Sequence, residues 1–148
     1  MEKEVIYINT DGGSRGNPGP AGCGAVITDE KGNILKKASK FLGVATNNEA
    51  EYQAVILGLE TLKKMFGSSR TVRLEVRMRM DSELVCRQLS GTYQIKEPKL
   101  FPAFMKIWNL RVTDFPNFSC IHIRREENNI ADGLANEAMD GGTQDKLL

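Results

Sequence analysis

Cysteine is scarce in this chain of 148 residues: Cys23, Cys86 and Cys120 are an odd number, lie far apart, and form neither a CxxC pair nor a zinc spacing. A disulfide framework is excluded on that count, and the three read as small buried apolar side chains. An excess of either charge is missing as well. Twenty Lys and Arg against nineteen Asp and Glu leave a net charge of +1, so affinity for nucleic acid has to come from local patches rather than a global field. No apolar run approaches the ~18–20 residues of a membrane span. The opening MEKEVIYINTDGG lacks the basic flank and long apolar core of a secretory signal. A cytoplasmic chain without a membrane partner is expected. Repeats, low-complexity segments and linkers are also absent, and at ~100–200 residues per domain the length makes one domain. Its expected extent is 1–140, with 141–148 as a flexible C-terminal tail.

The residues that are present alternate and turn in a readable order. EVIYINT at 4–10 has the β-branched and aromatic content of a strand. DGGSRGNPGPAG at 11–22 reads as a turn, and 22–43 as two further strands around Asp29-Glu30-Lys31-Gly32. Apolar positions at Ala50, Ala54, Leu57, Leu59 and Leu62 predict a helix to about Met65, capped by Thr46, Asn47 or Asn48. VRLEVRMRM at 72–80 alternates with period two, so Val72, Leu74, Val76, Met78 and Met80 face a core and Arg73, Glu75, Arg77 and Arg79 face solvent. A short helix after Asp81-Ser82, another over 98–111, a strand within 115–125 and a last helix over 128–140 complete the chain. The order is β-β-β-α-β-α-α-β-α, an α/β fold with a five-stranded mixed sheet: an antiparallel meander of three strands, then parallel strands, flanked by helices.

Acidic residues fall at the ends of these elements: Asp11 after the first strand, Asp81 after the fourth, Glu51 early in the first helix, Asp132 early in the last. If the first and fourth strands are parallel neighbours, Asp11 and Asp81 emerge at one carboxyl edge, where open α/β sheets bind ligands. Clustered carboxylates repel and raise one another's pKa, so a cluster of this kind exists to hold divalent cations. Oxygen donors favour Mg2+, with Mn2+ as a substitute. Two such ions ~3.5–4 Å apart activate a water and stabilise a leaving oxygen in phosphoryl displacement. Any one of these acids alone is better explained as a cap at a strand end or helix start; only the joint pattern reverses that.

TDGGSRGNPGPAG at 10–22, TNNEAEYQAVILGL at 46–59, MDSELV at 80–85 and ENNIADGLANEA at 127–138 resemble, in order and spacing, the four blocks of the type 1 ribonuclease H family. The similarity runs from about Val5 to Asp140. It implies the ribonuclease H-like fold and endonucleolytic hydrolysis of the RNA strand of RNA/DNA hybrids by two metal ions, leaving 3′-hydroxyl and 5′-phosphate ends. In family terms Asp11 bridges two Mg2+ ions, Glu51 and Asp81 hold the ion on the leaving-oxygen side, and Asp132 holds the ion carrying the attacking water. Glu51 is also expected at the ribose 2′-hydroxyl that distinguishes RNA from DNA. Glu49 points about 200° away from Glu51 on a helix and cannot serve the same site. Asn17, Asn47 and Asn48 resemble minor-groove contacts and Thr46 a DNA-phosphate contact, with turn and cap chemistry as the alternative.

The chain also departs from the best-known members. SGTYQIKE between Leu89 and Pro98 is too short for the basic protrusion of some members, and a form without an N-terminal hybrid-binding domain is expected. His122, the only histidine, lies inside an apparent strand and reads as structural; Arg124 and Arg125 beside it are either phosphate contacts or solvated. Gly133 follows Asp132 inside a helix, where glycine costs about 1 kcal/mol relative to alanine, so that segment is expected to be mobile before metal and substrate bind. A monomer is expected. The alternatives are a hybrid-binding protein that does not cut, a nuclease that also cuts double-stranded RNA, and a DNA-strand transferase; the four acids and the GNPGPAG and TNNEAE blocks favour the hybrid nuclease.

Overall fold

In a computed structural model of the chain, residues 3–147 are described, with the side chains of 143–147 excepted. Strands β1 (Val5–Ser14), β2 (Gly19–Asp29) and β3 (Ile34–Ala45) form the antiparallel meander. Helix α1 (Asn47–Phe66) and the single turn α2 (Ser68–Thr71) lead to β4 (Glu75–Met80), which lies parallel to β1. Then come α3 (Glu83–Leu89), a 3-10 turn over Pro98–Leu100, α4 (Phe101–Thr113), β5 (Phe118–His122), a 3-10 turn over Arg125–Glu127, and α5 (Asn129–Leu147). The sheet order β3-β2-β1-β4-β5 puts β1 at its centre, as the expected mixed five-stranded sheet requires.

Three boundaries differ from the sequence expectation. Residues 11–22 are not all turn: β1 and β2 stay paired through Asp11↔Gly24 and Ser14↔Ala21, leaving only 15–18 for the turn. Strand β4 begins at Glu75 rather than Val72, because the amides of Arg70 and Thr71 close a helical turn on the Gly67 carbonyl and leave Val72 exposed. Helix α5 continues past 140, and Gly142 packs against the Phe41 ring. Leu148 and the side chains of 143–147, to which most of the expected tail belongs, lie outside the described residues.

The core forms between one face of the sheet and α1. Ile6 and Ile8 of β1 and Val76, Met78 and Met80 of β4 are sealed beneath Tyr52, Val55, Leu59 and Leu62 of α1, each such apolar side chain contributing about 1.5–3 kcal/mol. The alternation read in β4 holds from Leu74 onward. Its opposite face is not simply solvated: Arg77 donates to the Tyr7 hydroxyl and to Glu75, and the Arg79 guanidinium sits 4.2 Å above the Tyr7 ring. In α4 only Ile107 is buried, and Trp108 is half-exposed. Cys23 and Cys86 are buried and Cys120 partly so, all unbridged; the Cys86 and Cys120 thiols share a hydrogen bond.

Two glycines decide how closely the helices approach the sheet. A Cβ on Gly12 would stand 2.3 Å from the Ala50 carbonyl carbon, and one on Gly24 would stand 2.5 Å from Leu134 Cβ. Side chains there would push α1 off β1 and α5 off β2, so these residues carry the packing that brings Glu51 and Asp132 in. Gly133 differs, with nothing within 4 Å of an added Cβ. Gly133→Ala is therefore expected to raise stability by about 1 kcal/mol, and Gly12→Ala to lower it. Urea unfolding of the two variants beside the parent checks both signs.

Candidate active site

Parallel pairing of β1 with β4 runs as far as Thr10↔Met80, so Asp11 and Asp81 leave the pair side by side at its carboxyl edge. Strand β1 continues along β2 while β4 turns into α3, capped by Ser82 accepting from the Val85 amide. Into this edge α1 delivers Glu51, which accepts from the Gly12 amide and is 8% exposed. One carboxylate oxygen from each of Asp11, Glu51 and Asp81 lies within 4.8 Å of the others. Asp132, from the first turns of α5, hydrogen-bonds Asp11 and lines the same cavity of about 320 Å3. All four predicted acids meet here, three as a tight cluster and the fourth beside it.

Such a cluster cannot stay fully ionised by itself. Burial, then the Asp81 charge, then the Asp132 hydrogen bond push the Asp11 pKa up to about 7. Burial and the charges of Asp11 and Asp81 hold Glu51 well above the usual carboxylate range. Glu51 Oε2 is buried with no hydrogen-bond partner among the described residues. A carboxylate with an orphaned buried oxygen, grouped with two further carboxylates, is a set of hard donors that fits a divalent cation.

The predicted substrate residues divide. Thr46 is the N-cap of α1 in a reciprocal box with Glu49: its Oγ1 accepts from the Glu49 amide at 3.1 Å, and Glu49 Oε1 accepts from the Thr46 amide at 3.0 Å. Glu49 is thereby occupied, away from the acids. Asn17 Oδ1 accepts from the Asn47 amide and Asn47 Oδ1 from the Ser14 amide, tying the 15–18 turn to the helix start and leaving both amide NH2 groups for other acceptors. Asn47 lines the acidic cavity, whereas Asn48 lines a neighbouring groove with Leu84, Gln88 and Tyr93. His122 is exposed at the end of β5 and does not line the acidic cavity. Arg125, which the sequence left open between phosphate contact and solvated residue, does line it. The signal for it was position: it sits seven residues before Asp132 and opens the turn that leads into α5.

The sequence matches the family described as "Reverse transcriptase-like" over residues 9–138, the class that this sheet and its acid-lined edge define. At 53% identity it is similar to LC11-RNase H1, isolated from compost by a metagenomic approach, whose crystal structure in complex with an RNA/DNA hybrid aligns with TM-score 0.89 over 93% of this chain and 99% of that one. Ribonuclease HI of Halobacterium salinarum is 41% identical over 135 residues, 91% of this chain and 64% of the relative. A bifunctional protein of Mycobacterium tuberculosis is 39% identical over 140 residues, 94% of this chain, which spans about a third (36%) of that relative's length. The chain belongs to the type 1 ribonuclease H family.

The raised carboxyl pKa sets a pH dependence for the metal-free protein. Between about 4 and about 7 native Asp11 keeps a proton that the unfolded chain releases, so this group's contribution to stability falls as pH rises through that window. Thermal unfolding in chelator is expected at lower temperature at pH 8 than at pH 5. Asp11→Asn should flatten the profile and gain several degrees at pH 8; an unchanged profile in that variant would show that Asp11 is not the group responsible.

Proposed function

We propose that this chain hydrolyses the RNA strand of RNA/DNA hybrids endonucleolytically, leaving 3′-hydroxyl and 5′-phosphate ends. The observation that carries the proposal is the cluster of Asp11, Glu51 and Asp81 with its unpartnered buried oxygen, in a chain so similar to an enzyme solved with a hybrid. Asp11, Glu51, Asp81 and Asp132 would hold two Mg2+ ions, with Mn2+ as a substitute. Bound cations supply a nucleophilic water at neutral pH and charge stabilisation for the leaving oxygen.

The rest of the work falls to side chains around the acids. Asn17 and Asn47 have their carbonyl oxygens engaged by backbone amides, so only donors are left to offer, as the acceptor-lined minor groove requires. The α1 N-terminus, with Thr46 as its cap, adds the positive end of a helix dipole for a backbone phosphate. Arg125, exposed at the rim of the cavity, places a cation where the scissile phosphate must approach. Glu51 reading the 2′-hydroxyl makes RNA the strand that is cut. Among the described residues no helix is long and apolar enough to cross a membrane. We propose a monomer acting in the cytoplasm. Double-stranded RNA, which also presents 2′-hydroxyls in a wide minor groove, is the competing substrate.

The test is cleavage of one end-labelled sequence as hybrid, double-stranded RNA and single-stranded RNA, in Mg2+, Mn2+ or chelator. Metal-dependent cutting of the hybrid alone is expected; binding without cutting in either metal would make the chain a binding module. Asp11→Asn should abolish hydrolysis while the protein still folds. Arg125→Ala should lower kcat by about 10–100-fold, less than the ~100–1,000-fold lost with a buried charge-stabilising donor, because Arg125 is exposed. His122→Ala should change turnover little, and a loss as deep as that of Asp11→Asn would return His122 to the site.

A further inference from the structure

The sheet face opposite α1 is connected to the acidic edge by a line of side-chain hydrogen bonds. Arg79 Nε donates to Asn9 Oδ1 at 2.9 Å, Asn9 Nδ2 donates to Asn128 Oδ1 at 3.2 Å, and Asn128 Nδ2 donates to the Thr10 carbonyl at 2.8 Å. Both asparagines are buried, Asn128 at 1% exposure. The two ends of the line matter for the acids. Thr10 immediately precedes Asp11, and the Asn128 carbonyl accepts from the Asp132 amide at 3.0 Å, closing the first turn of α5.

The line has a direction that chemistry imposes. A guanidinium can only donate, so Asn9 must turn its carbonyl toward Arg79 and its NH2 toward Asn128. Asn128 must then offer its carbonyl to Asn9 and its NH2 to Thr10. A primary amide alone carries no such preference, since its two ends are nearly the same shape. With Asn128 reversed, its oxygen would face the Thr10 carbonyl in a buried site, leaving two acceptors unsatisfied at about 1–3 kcal/mol each. Arg79 therefore selects the one arrangement in which the start of α5 is bonded to β1 beside Asp11.

Asp132 needs such a hold more than the other acids do. Asp11 lies in β1 and Asp81 directly follows the neighbouring β4, and Glu51 is locked by the close approach of α1 at Gly12. Asp132 comes from a separate helix entered through a 3-10 turn, with no strand pairing to fix it beside Asp11.

We propose that Arg79, Asn9 and Asn128 are positioning residues that hold Asp132 against Asp11 before any cation arrives, an inference that rests on the four-carboxylate metal site proposed above. Their effect is on the order of metal capture rather than on grip of the hybrid. Groups that orient metal ligands typically change metal affinity by about 10–100-fold.

The experiment titrates Mn2+ into substrate-free protein by calorimetry and, in parallel, measures kcat and KM on a hybrid for Arg79→Met, Arg79→Lys and Asn128→Asp. Arg79→Met is expected to weaken Mn2+ binding about tenfold and to lower kcat at limiting metal, with KM for hybrid changed by no more than about twofold. Arg79→Lys keeps a pure donor and should stay near the parent. Asn128→Asp replaces the donor to Thr10 with an acceptor and should lose more than Arg79→Met. Parent-like Mn2+ affinity and kcat in Arg79→Met, whatever its melting temperature, would overturn the inference and leave the line as packing. If Asn128→Asp does not fold, Arg79→Met, a change at a half-buried surface residue, decides alone. Should the parent protein bind Mn2+ yet leave the hybrid uncut, the functional reading fails while the calorimetry still reports on the positioning line.

Discussion

The structure is organised around a repulsion. Three carboxylates held within 4.8 Å of one another, two of them buried, oppose their own assembly, and among the described residues no ion pair offsets their charge; Arg15 and Arg125 line the cavity around them, Arg15 being paired with Asp140. Everything nearby serves to keep them together. Strands β1 and β4 fix Asp11 beside Asp81 through continuous parallel pairing. Gly12 lets the α1 backbone approach close enough to bring Glu51 down, and the Thr46–Glu49 box begins that helix at the right residue. The sealed core beneath α1 supplies the free energy that the acids withdraw. Proton retention by Asp11 and Glu51 is the price of that assembly without metal, and a divalent ion replaces the retained protons with its own charge.

Much of this was legible in the sequence because the informative residues are local. Period-two alternation in VRLEVRMRM gave a strand with a buried face, and the grouping of acids after strands and at helix starts nominated the four that the fold gathers. Glycine was misleading in one place. The dense Gly and Pro content of 11–22 reads as turn, yet Gly12 and Gly22 lie within paired strands, where their missing side chains make room for α1 and α5. A glycine that permits close packing and one that permits a turn look alike until the packing partner, distant in sequence, is known.

Other features were illegible for the same reason. Arg79 read as a solvated residue on the wet face of a strand, since alternation reports which face a side chain takes and not what waits there. Its partner Asn9 is 70 positions away, and Asn128 is a further 119 from Asn9. Likewise His122 and Arg125 stand three residues apart in one basic stretch, and only the turn at Arg125–Glu127 decides that the arginine, not the histidine, lines the acidic cavity.

The short segment between α3 and α4 bears on how a substrate is gripped. Where a longer basic insertion would add contact area, this chain has a groove floored by Leu84, Leu100 and Tyr93, with Arg87 stacked 5.3 Å from the Tyr93 ring centroid. Asn48 lines this groove and its neighbour Asn47 lines the acidic cavity, so the two concave surfaces meet at the first residues of α1. A duplex lying across that helix end would place one strand over the acids and the other over the groove. On the proposed function, selectivity would depend less on total charge, which is near zero, than on the spacing between two fixed features of one helix terminus. Both surfaces depend on where α1 begins and how closely it approaches β1, so on the proposed function the capping box and Gly12, which help assemble the acids, would also position the duplex.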